Sequence, residues 1–165
     1  MTALNAELAP PASVEGLPSV YLFPGQLYTS AEPSLVTTIL GSCVAVCLWD
    51  SEALVGGINH YLLATNPMRG ASDARYGNTA MARLLEEVIE RGASTRRLVA
   101  KIFGGASVVA GFSSGRASIG EQNLHVAEQF LKQHEIAIGG ERTGGRHGRK
   151  LLFHTGTGSA YVKEI

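Results

Sequence analysis

The sequence of 165 residues lacks an excess of either charge and lacks any long apolar run. Fourteen Lys and Arg residues balance fourteen Asp and Glu residues, so no long-range field would draw the chain onto nucleic acid or an anionic membrane. No apolar run approaches the roughly 20 residues that a membrane-spanning helix needs. We therefore expect no nucleic-acid partner and no direct insertion into a membrane.

Cysteine is also scarce, with only Cys43 and Cys47 present. The segment that contains them has the composition of a strand, in which they would lie about 13 Å apart, too far for a disulfide. A Cys-x3-Cys pair without a second Cys/His cluster also falls short of the usual zinc patterns. The sequence predicts no disulfide, no metal site and no cofactor.

Residues 1–17 are rich in Ala and Pro and lack the basic start and continuous apolar stretch of a signal peptide. We predict that residues 1–17 form a flexible extension and that residues 18–165 form one domain in a cytoplasmic protein.

Within that domain, strand and helix patterns are mixed. A strand over 43–49 is apolar on both faces, which predicts a central strand covered on both sides, and 54–63 is its predicted partner. Helical spacing of apolar residues predicts helices over 78–91, capped by Asn78, and over 121–134. Short strands are predicted within 20–28, where Pro24-Gly25 breaks the pattern, and over 35–40, 98–103, 136–138, 151–155 and 160–163. The mixture predicts an α/β or α+β domain with a mixed β-sheet core or sandwich flanked by helices.

A cysteine that follows a Gly-Ser pair, and a histidine farther along the chain, are the most informative residues of the sequence. Cys43 follows Gly41-Ser42, and His60 comes seventeen residues later, after Gly56-Gly57. Two neighbouring strands could bring them together, where the imidazole would activate the thiol and protonate a leaving group. Gly41 and Ser42 would let the backbone turn and leave N–H groups free for a developing oxyanion. The pair therefore suggests a cysteine hydrolase, although from composition alone a buried cysteine and a core histidine are the simpler interpretation.

The glycine-rich segment 144–150 carries three basic residues and could cradle an anion. It lacks the ending of a phosphate loop and the helix start of a dinucleotide fingerprint, so a basic hairpin turn is the preferred interpretation. We interpret 103–106 and 155–158 as tight turns.

Five motifs occur in order along the chain. They are the segment 37–46, His60 after Gly56-Gly57, Lys101-Ile102-Phe103-Gly104-Gly105-Ala106, Ile119-Gly120 with Asn123, and Arg149-Lys150. Together they resemble the motifs of the chemoreceptor glutamine deamidases of bacterial chemotaxis, the CheD family. The resemblance extends from about Leu22 to Tyr161.

The resemblance implies a site made of Cys43, His60 and Thr37, within a deamidase domain over 18–165. Cys43 would attack a glutamine carboxamide to form a thioester, and His60 would protonate the departing ammonia. Thr37 would orient the imidazole, although the adjacent Thr38 is easily confused with it. Backbone N–H groups near Ser42 and Cys43 are the predicted oxyanion site.

The resemblance also implies partners and a fold. The expected partners are the cytoplasmic regions of methyl-accepting chemoreceptors, together with a chemotaxis phosphatase of the CheC family. The expected fold is similar to the catalytic domain of cytotoxic necrotizing factors. Two alternatives stay open: a binding module that docks a phosphatase or receptor without turnover, and a transglutaminase-like enzyme that shares the thioester.

Overall fold

Two five-stranded sheets pack face to face, and two helices in the described chain cover the outer face of one sheet. The computed structural model describes residues 6–7, 14–68, 72–107 and 116–165. The elements in chain order are β1 (Ala6–Glu7), β2 (Ser19–Tyr21), β3 (Leu27–Ser30), β4 (Leu35–Leu40), β5 (Val44–Asp50), β6 (Val55–Asn59), α1 (Gly77–Glu90), β7 (Leu98–Gly104), α2 (Ile119–Gln133), β8 (Ala137–Thr143), β9 (Arg149–His154) and β10 (Ala160–Glu164).

The first sheet has the order β1-β10-β9-β4-β2, and the second has the order β3-β6-β5-β7-β8. Both sheets mix parallel and antiparallel pairs. One apolar cluster fills the space between the sheets, and a second fills the space between the second sheet and the helices. The predicted α+β class with a β-sandwich core is confirmed, with both helices on one side of the sandwich.

The central strand of the second sheet is β5, as its two apolar faces predict. Val44, Val46 and Leu48 point to the helices, whereas Ala45 and Cys47 point to the first sheet. All five are essentially inaccessible to solvent. The strand is therefore buried from both sides and fixes the positions of its neighbours β6 and β7.

A tight turn joins β5 to β6 and brings the chain back beside its starting point. The Asp50 carboxylate accepts hydrogen bonds from the N–H groups of Glu52 and Ala53 and forms an ion pair with Arg97. The strands then run antiparallel, with Cys47 opposite Ile58 and a further bridge between Val44 and Tyr61. The register places the residues before Val44 next to those after Asn59.

The two helices begin in different ways. Ser118 caps α2 in a capping box with Glu121, two residues before the predicted start at 121. The predicted Asn78 cap of α1 is wrong, because Tyr76 occupies the cap position and makes no side-chain cap bond. The N–H groups of Gly77 and Asn78 instead donate to the carbonyls of Leu63 and Ala64, so the first turn needs no side-chain cap.

The glycine-rich segment between β8 and β9 is not a hairpin, and that interpretation is wrong. β8 pairs parallel with β7 in the second sheet, while β9 pairs with β4 and β10 in the first. The connection crosses from one sheet to the other, and Gly144 and Gly145 both have positive φ, at 73° and 72°. Such backbone favours glycine, which explains the glycine pair at this crossing.

Most of the predicted extension over 1–17 lies outside the described residues. Ala6–Glu7 pairs in parallel with β10. The boundary at residue 18 stays a prediction. In the part of the chain that the structure describes, neither helix is long and apolar enough to cross a membrane.

Candidate active site

Cys43 and His60 lie on one face of two neighbouring strands, at the end of the sandwich where the chain passes from β4 to β5. Val44 and Tyr61 exchange both backbone hydrogen bonds, at 3.1 and 3.0 Å. Cys43 precedes Val44 and His60 precedes Tyr61, so the two are diagonal neighbours, within reach of each other's side chains. Both face the first sheet: Cys43 packs against the inter-sheet cluster, and His60 meets β4. The predicted pairing of neighbouring strands is confirmed.

The hydrogen bonds around His60 fix the position of its ring proton. The Thr38 hydroxyl donates its only hydrogen to the Leu22 carbonyl at 2.7 Å. The same oxygen lies 2.7 Å from His60 Nδ1, so it must accept a hydrogen bond there and Nδ1 carries the proton. Nε2 is buried and has no partner among the described residues, including the Cys43 thiol. The ring therefore presents an unused lone pair, which is what a general base requires.

Thr38, rather than Thr37, meets the histidine. Alternate residues of a strand point to opposite faces, and Val36, Thr38 and Leu40 of β4 are buried toward the second sheet. Thr37 occupies the opposite face, and its carbonyl accepts the N–H of Leu22 at 2.8 Å. The predicted hydrogen bond from Thr37 to the imidazole is therefore corrected to Thr38.

Burial keeps both reactive groups neutral. Desolvation lowers the pKa of His60 from 6.5 to about 4. Desolvation raises the pKa of the Cys43 thiol, and a hydrogen bond from its own backbone N–H only partly offsets this. Because the thiol pKa lies far above the imidazole pKa, the resting pair is thiol and neutral imidazole, not thiolate and imidazolium.

The carbonyl groups of residues 41–43 hold the loop that leads into β5. The carbonyls of Gly41 and Cys43 accept the N–H groups of Ala106 and Gly105, at 2.9 and 2.8 Å, and the carbonyl of Ser42 accepts a side-chain amide. No partner among the described residues meets the N–H of Ser42, and that of Cys43 meets only its own thiol. These two donors beside Sγ are the feature that an oxyanion site needs.

The turn at Gly104-Gly105 brings the N–H groups of Gly105 and Ala106 against residues 41–43. Both glycines have positive φ, at 103° and 69°. A Cβ on Gly104 would collide with the Cys43 carbonyl oxygen. Arg149 stabilises the turn from the other side by donating to the carbonyls of Gly104 and Gly144. The tight turn predicted at 103–106 thus lies directly beside Cys43.

Cys47 occupies a different environment four residues along the same strand. It is fully buried in the inter-sheet cluster, and desolvation raises the pKa of its thiol well above the usual range. Both cysteines are free. The packing gives Cys47 the properties of a small core residue.

The sequence did not predict that Asn123 holds the chain on both sides of the candidate site. The sequence contains Asn123 only as part of the motif with Ile119-Gly120, which assigns it no contact. In the structure Asn123 is completely buried, and its Nδ2 donates to the carbonyls of Ser42 and Leu62. A polar residue next to the apolar stripe of an amphipathic helix was the available signal.

A half-buried thiol lies near a neutral imidazole whose Nε2 has no partner among the described residues. Together with the backbone N–H groups of Ser42 and Cys43, which no other described residue pairs, they form a site of the kind that cysteine-nucleophile enzymes use. The chain belongs to the CheD family, described as CheD chemotactic sensory transduction, whose family model matches residues 62–164.

Curated relatives match over most of the chain. A protein of Anaeromyxobacter dehalogenans named "Probable chemoreceptor glutamine deamidase CheD 1" is 43% identical over 169 residues, covering 99% of this chain and 98% of that one. Proteins named "Probable chemoreceptor glutamine deamidase CheD" match from Trichlorobacter lovleyi, at 46% identity over 84% of this chain and 85% of that one, and from Rhizobium meliloti, at 47% over 86% and 77%. A solved structure of a Neisseria meningitidis protein matches with a TM-score of 0.39 and 14% identity, over 79% of this chain and 64% of that one.

Proposed function

We propose that this chain is a protein-glutamine deamidase, a hydrolase that converts glutamine side chains of bacterial chemoreceptors to glutamate in chemotaxis. Family membership supports the reaction class, since the relatives are named for it. The structural observation that supports the proposal is that Nε2 of His60, on the face it shares with Cys43, has no hydrogen-bond partner among the residues that the structure describes.

The first half of the reaction forms a thioester. As Cys43 Sγ attacks the Cδ of the glutamine carboxamide, His60 Nε2 takes the thiol proton, so no preformed thiolate is needed. The carboxamide oxygen becomes an oxyanion and accepts hydrogen bonds from the N–H groups of Ser42 and Cys43. His60 then returns its proton to the leaving nitrogen, and the C–N bond breaks to release ammonia.

The second half restores the thiol. Water gives a proton to His60 Nε2 as its oxygen attacks the thioester carbonyl. The C–S bond then breaks, Sγ recovers the proton, and a glutamate side chain leaves. Thr38 holds the imidazolium in place through both halves by accepting from Nδ1–H, a weaker support than a carboxylate because it adds no charge.

The substrate region and the partner are part of this proposal. A receptor's cytoplasmic signalling region would present the glutamine, which requires the enzyme to be cytoplasmic. A phosphatase of the CheC family would bind the enzyme and restrain it. These assignments rest on the family resemblance.

The test is mass spectrometry of a purified chemoreceptor signalling fragment incubated with the wild type, with Cys43→Ala and with Cys47→Ala. We expect glutamines converted to glutamates by the wild type, no conversion by Cys43→Ala, and activity within about threefold of the wild type for Cys47→Ala, because Cys43 is partly exposed whereas Cys47 is fully buried between the sheets. Equal loss from both substitutions would contradict the assignment of the nucleophile.

Two further outcomes would replace the proposal. Binding of several receptor fragments without any change in mass would identify a docking module. Adducts that form when a primary amine is added, in place of glutamate, would identify a transglutaminase-like transfer.

A further inference from the structure

Asn123 connects the two chain segments that carry the thiol and the imidazole. Its Nδ2 donates to the Ser42 carbonyl at 3.0 Å and to the Leu62 carbonyl at 2.8 Å. Ser42 directly precedes Cys43, and Leu62 follows His60 by two residues. One amide nitrogen on α2 thus bridges both sides of the candidate site.

The Asn123 backbone is itself held in place. The Tyr61 hydroxyl, on the residue next to His60, donates to the Asn123 carbonyl at 2.6 Å. The capping box of Ser118 and Glu121 fixes the first turn of α2, one turn before Asn123. Gly120 lies directly against the Gly105 carbonyl, so that this end of the helix sits on the turn beside Cys43. The amide therefore approaches the loop from a rigid support.

The contact with Ser42 has a geometric consequence for the oxyanion site. The Ser42 carbonyl and the Cys43 N–H belong to one peptide plane, in which a trans bond points them in opposite directions. When Asn123 holds the carbonyl toward α2, the Cys43 N–H points away from α2. A hydrogen bond to the carbonyl also polarises the peptide and makes the N–H a stronger donor.

The amide satisfies two carbonyls while one of its own atoms goes unpaired. Asn123 Oδ1 is buried and has no hydrogen-bond partner among the described residues. An unpaired buried acceptor carries a desolvation cost, and an apolar side chain of similar size would avoid it. Only a group with two N–H bonds on one atom can serve both carbonyls at this position, which excludes a hydroxyl or a carboxylate. The choice of side chain thus follows the need to hold Ser42 and Leu62.

We propose that Asn123 is a positioning residue for the deamidation: it keeps Cys43 in register with His60 and aims the Cys43 N–H at the developing oxyanion. The proposal rests on the proposed function. It assigns to α2 a part in the reaction, although none of its side chains reaches the substrate in this scheme.

The test compares Asn123→Ala with Leu131→Ala, a fully buried apolar residue two turns farther along the same helix that packs against the helix-side cluster. Both truncations remove buried atoms from α2, but only the first releases Ser42 and Leu62. Asn123→Asp is the third variant, because it keeps the shape and removes both donors.

For Asn123→Ala we expect kcat on a receptor fragment to fall by about tenfold or more with KM within about threefold, since the lost contacts act on the transition state. Leu131→Ala should lower the thermal midpoint with kcat nearly unchanged. Equal kcat values for the two variants at a similar loss of thermal stability would overturn the proposal. Asn123→Asp, where it folds, should be at least as impaired as Asn123→Ala, and wild-type activity in it would also overturn the proposal.

A second readout needs no receptor. The rate of Cys43 alkylation by iodoacetamide is measured against pH in a Cys47→Ala background, with His60→Ala as reference. Assistance by neutral His60 predicts a level rate between the pKa of His60, about 4, and that of the thiol. Unassisted alkylation instead falls about tenfold per pH unit below the thiol pKa. In Asn123→Ala most of the pH-independent part of the alkylation profile should disappear, whereas Leu131→Ala should keep it.

The alkylation profile separates the failure of this proposal from failure of the proposed function. Suppose that the wild type deamidates no receptor fragment but that Asn123→Ala changes the alkylation profile. The alignment of Cys43 with His60 by Asn123 is then supported, and the substrate assignment fails. If the profile of Asn123→Ala equals that of Leu131→Ala, the positioning role is overturned. A wild-type profile equal to that of His60→Ala also overturns it, since no coupled pair then exists to be positioned.

Discussion

At the scale of single residues, the site depends on the location of one proton. The Thr38 hydroxyl has one hydrogen, and because Leu22 accepts it, the hydroxyl oxygen can only accept from His60. The neighbouring threonine lacks this arrangement, since its side chain lies on the other face of β4. Two adjacent residues of the same type therefore offer a matched comparison.

Thr38→Val and Thr37→Val should differ clearly in activity. Valine keeps the shape of threonine, but at 38 it leaves Nδ1 without an acceptor, so the tautomer with Nε2 protonated becomes competitive. We expect kcat/KM for receptor deamidation to fall by about tenfold to a hundredfold for Thr38→Val and by less than about threefold for Thr37→Val. The reverse order would restore Thr37 as the orienting residue.

At the scale of helices and strands, the predictable segments were those in which apolar residues recur at the spacing of one kind of element. The two-sided apolar strand β5, its partner β6 and the two amphipathic helices follow directly from the spacing of apolar residues. The Asn78 cap was not predictable, because backbone carbonyls from residues 63 and 64 satisfy the first N–H groups of α1. The crossing between β8 and β9 could not be told from a hairpin, since glycine and charge mark a turn without indicating which sheet the chain enters next.

The turn after β7 offers a prediction at this scale. Gly104→Ala would introduce both an unfavourable positive φ, at 103°, and a collision with the Cys43 carbonyl, whereas Gly92→Ala has a φ of 111° with no atom within 4 Å of the new Cβ. Both substitutions carry the backbone cost of roughly 1–2 kcal/mol, but only the first displaces the backbone at Cys43.

Chemical denaturation and receptor deamidation measured together separate the two effects. Gly92→Ala should lose stability with its deamidation rate preserved, and Gly104→Ala should lose more stability and most of its activity. A Gly104→Ala variant as active as Gly92→Ala would show that the turn does not set the position of Cys43.

At the scale of the whole molecule, the site joins the two sheets. Cys43 directly precedes β5 and His60 directly follows β6 of the second sheet, whereas Thr38 lies on β4 of the first. The sequence motifs point to the thiol and the imidazole as candidates because their chemistry is distinctive. They could not distinguish Thr38 from Thr37, because that choice depends on which face of β4 meets the other sheet. The role of Asn123 likewise depends on packing between segments far apart in sequence.

Stability should fall as the pH is lowered, in two steps. Folded His60 has a pKa of about 4 against 6.5 when exposed, so between these values the unfolded chain binds a proton that the folded chain does not. Stability that is present above pH 6.5 is therefore lost toward pH 4, by up to about 3 kcal/mol. The second step comes from Asp50. Burial alone would raise the pKa of its carboxyl, but hydrogen bonds from Arg97 and from backbone N–H groups lower it overall. Further stability is therefore lost below the usual pKa of 3.8.

Urea denaturation of the wild type and His60→Asn across this range measures the first step. Burial also lowers the pKa of His154, but this residue is common to both proteins and does not affect the comparison. We expect the stability of the wild type to fall more steeply than that of His60→Asn between pH 6.5 and 4. Parallel curves would mean that His60 is not buried in its neutral form.

The hydrogen bond from His60 to Thr38 links the two sheets, so it forms only when the sandwich closes. In the proposed mechanism, a chain that has formed only one of its sheets would hold an unoriented base and a thiol no more reactive than a free cysteine. Deamidation would then begin only after the two sheets have docked.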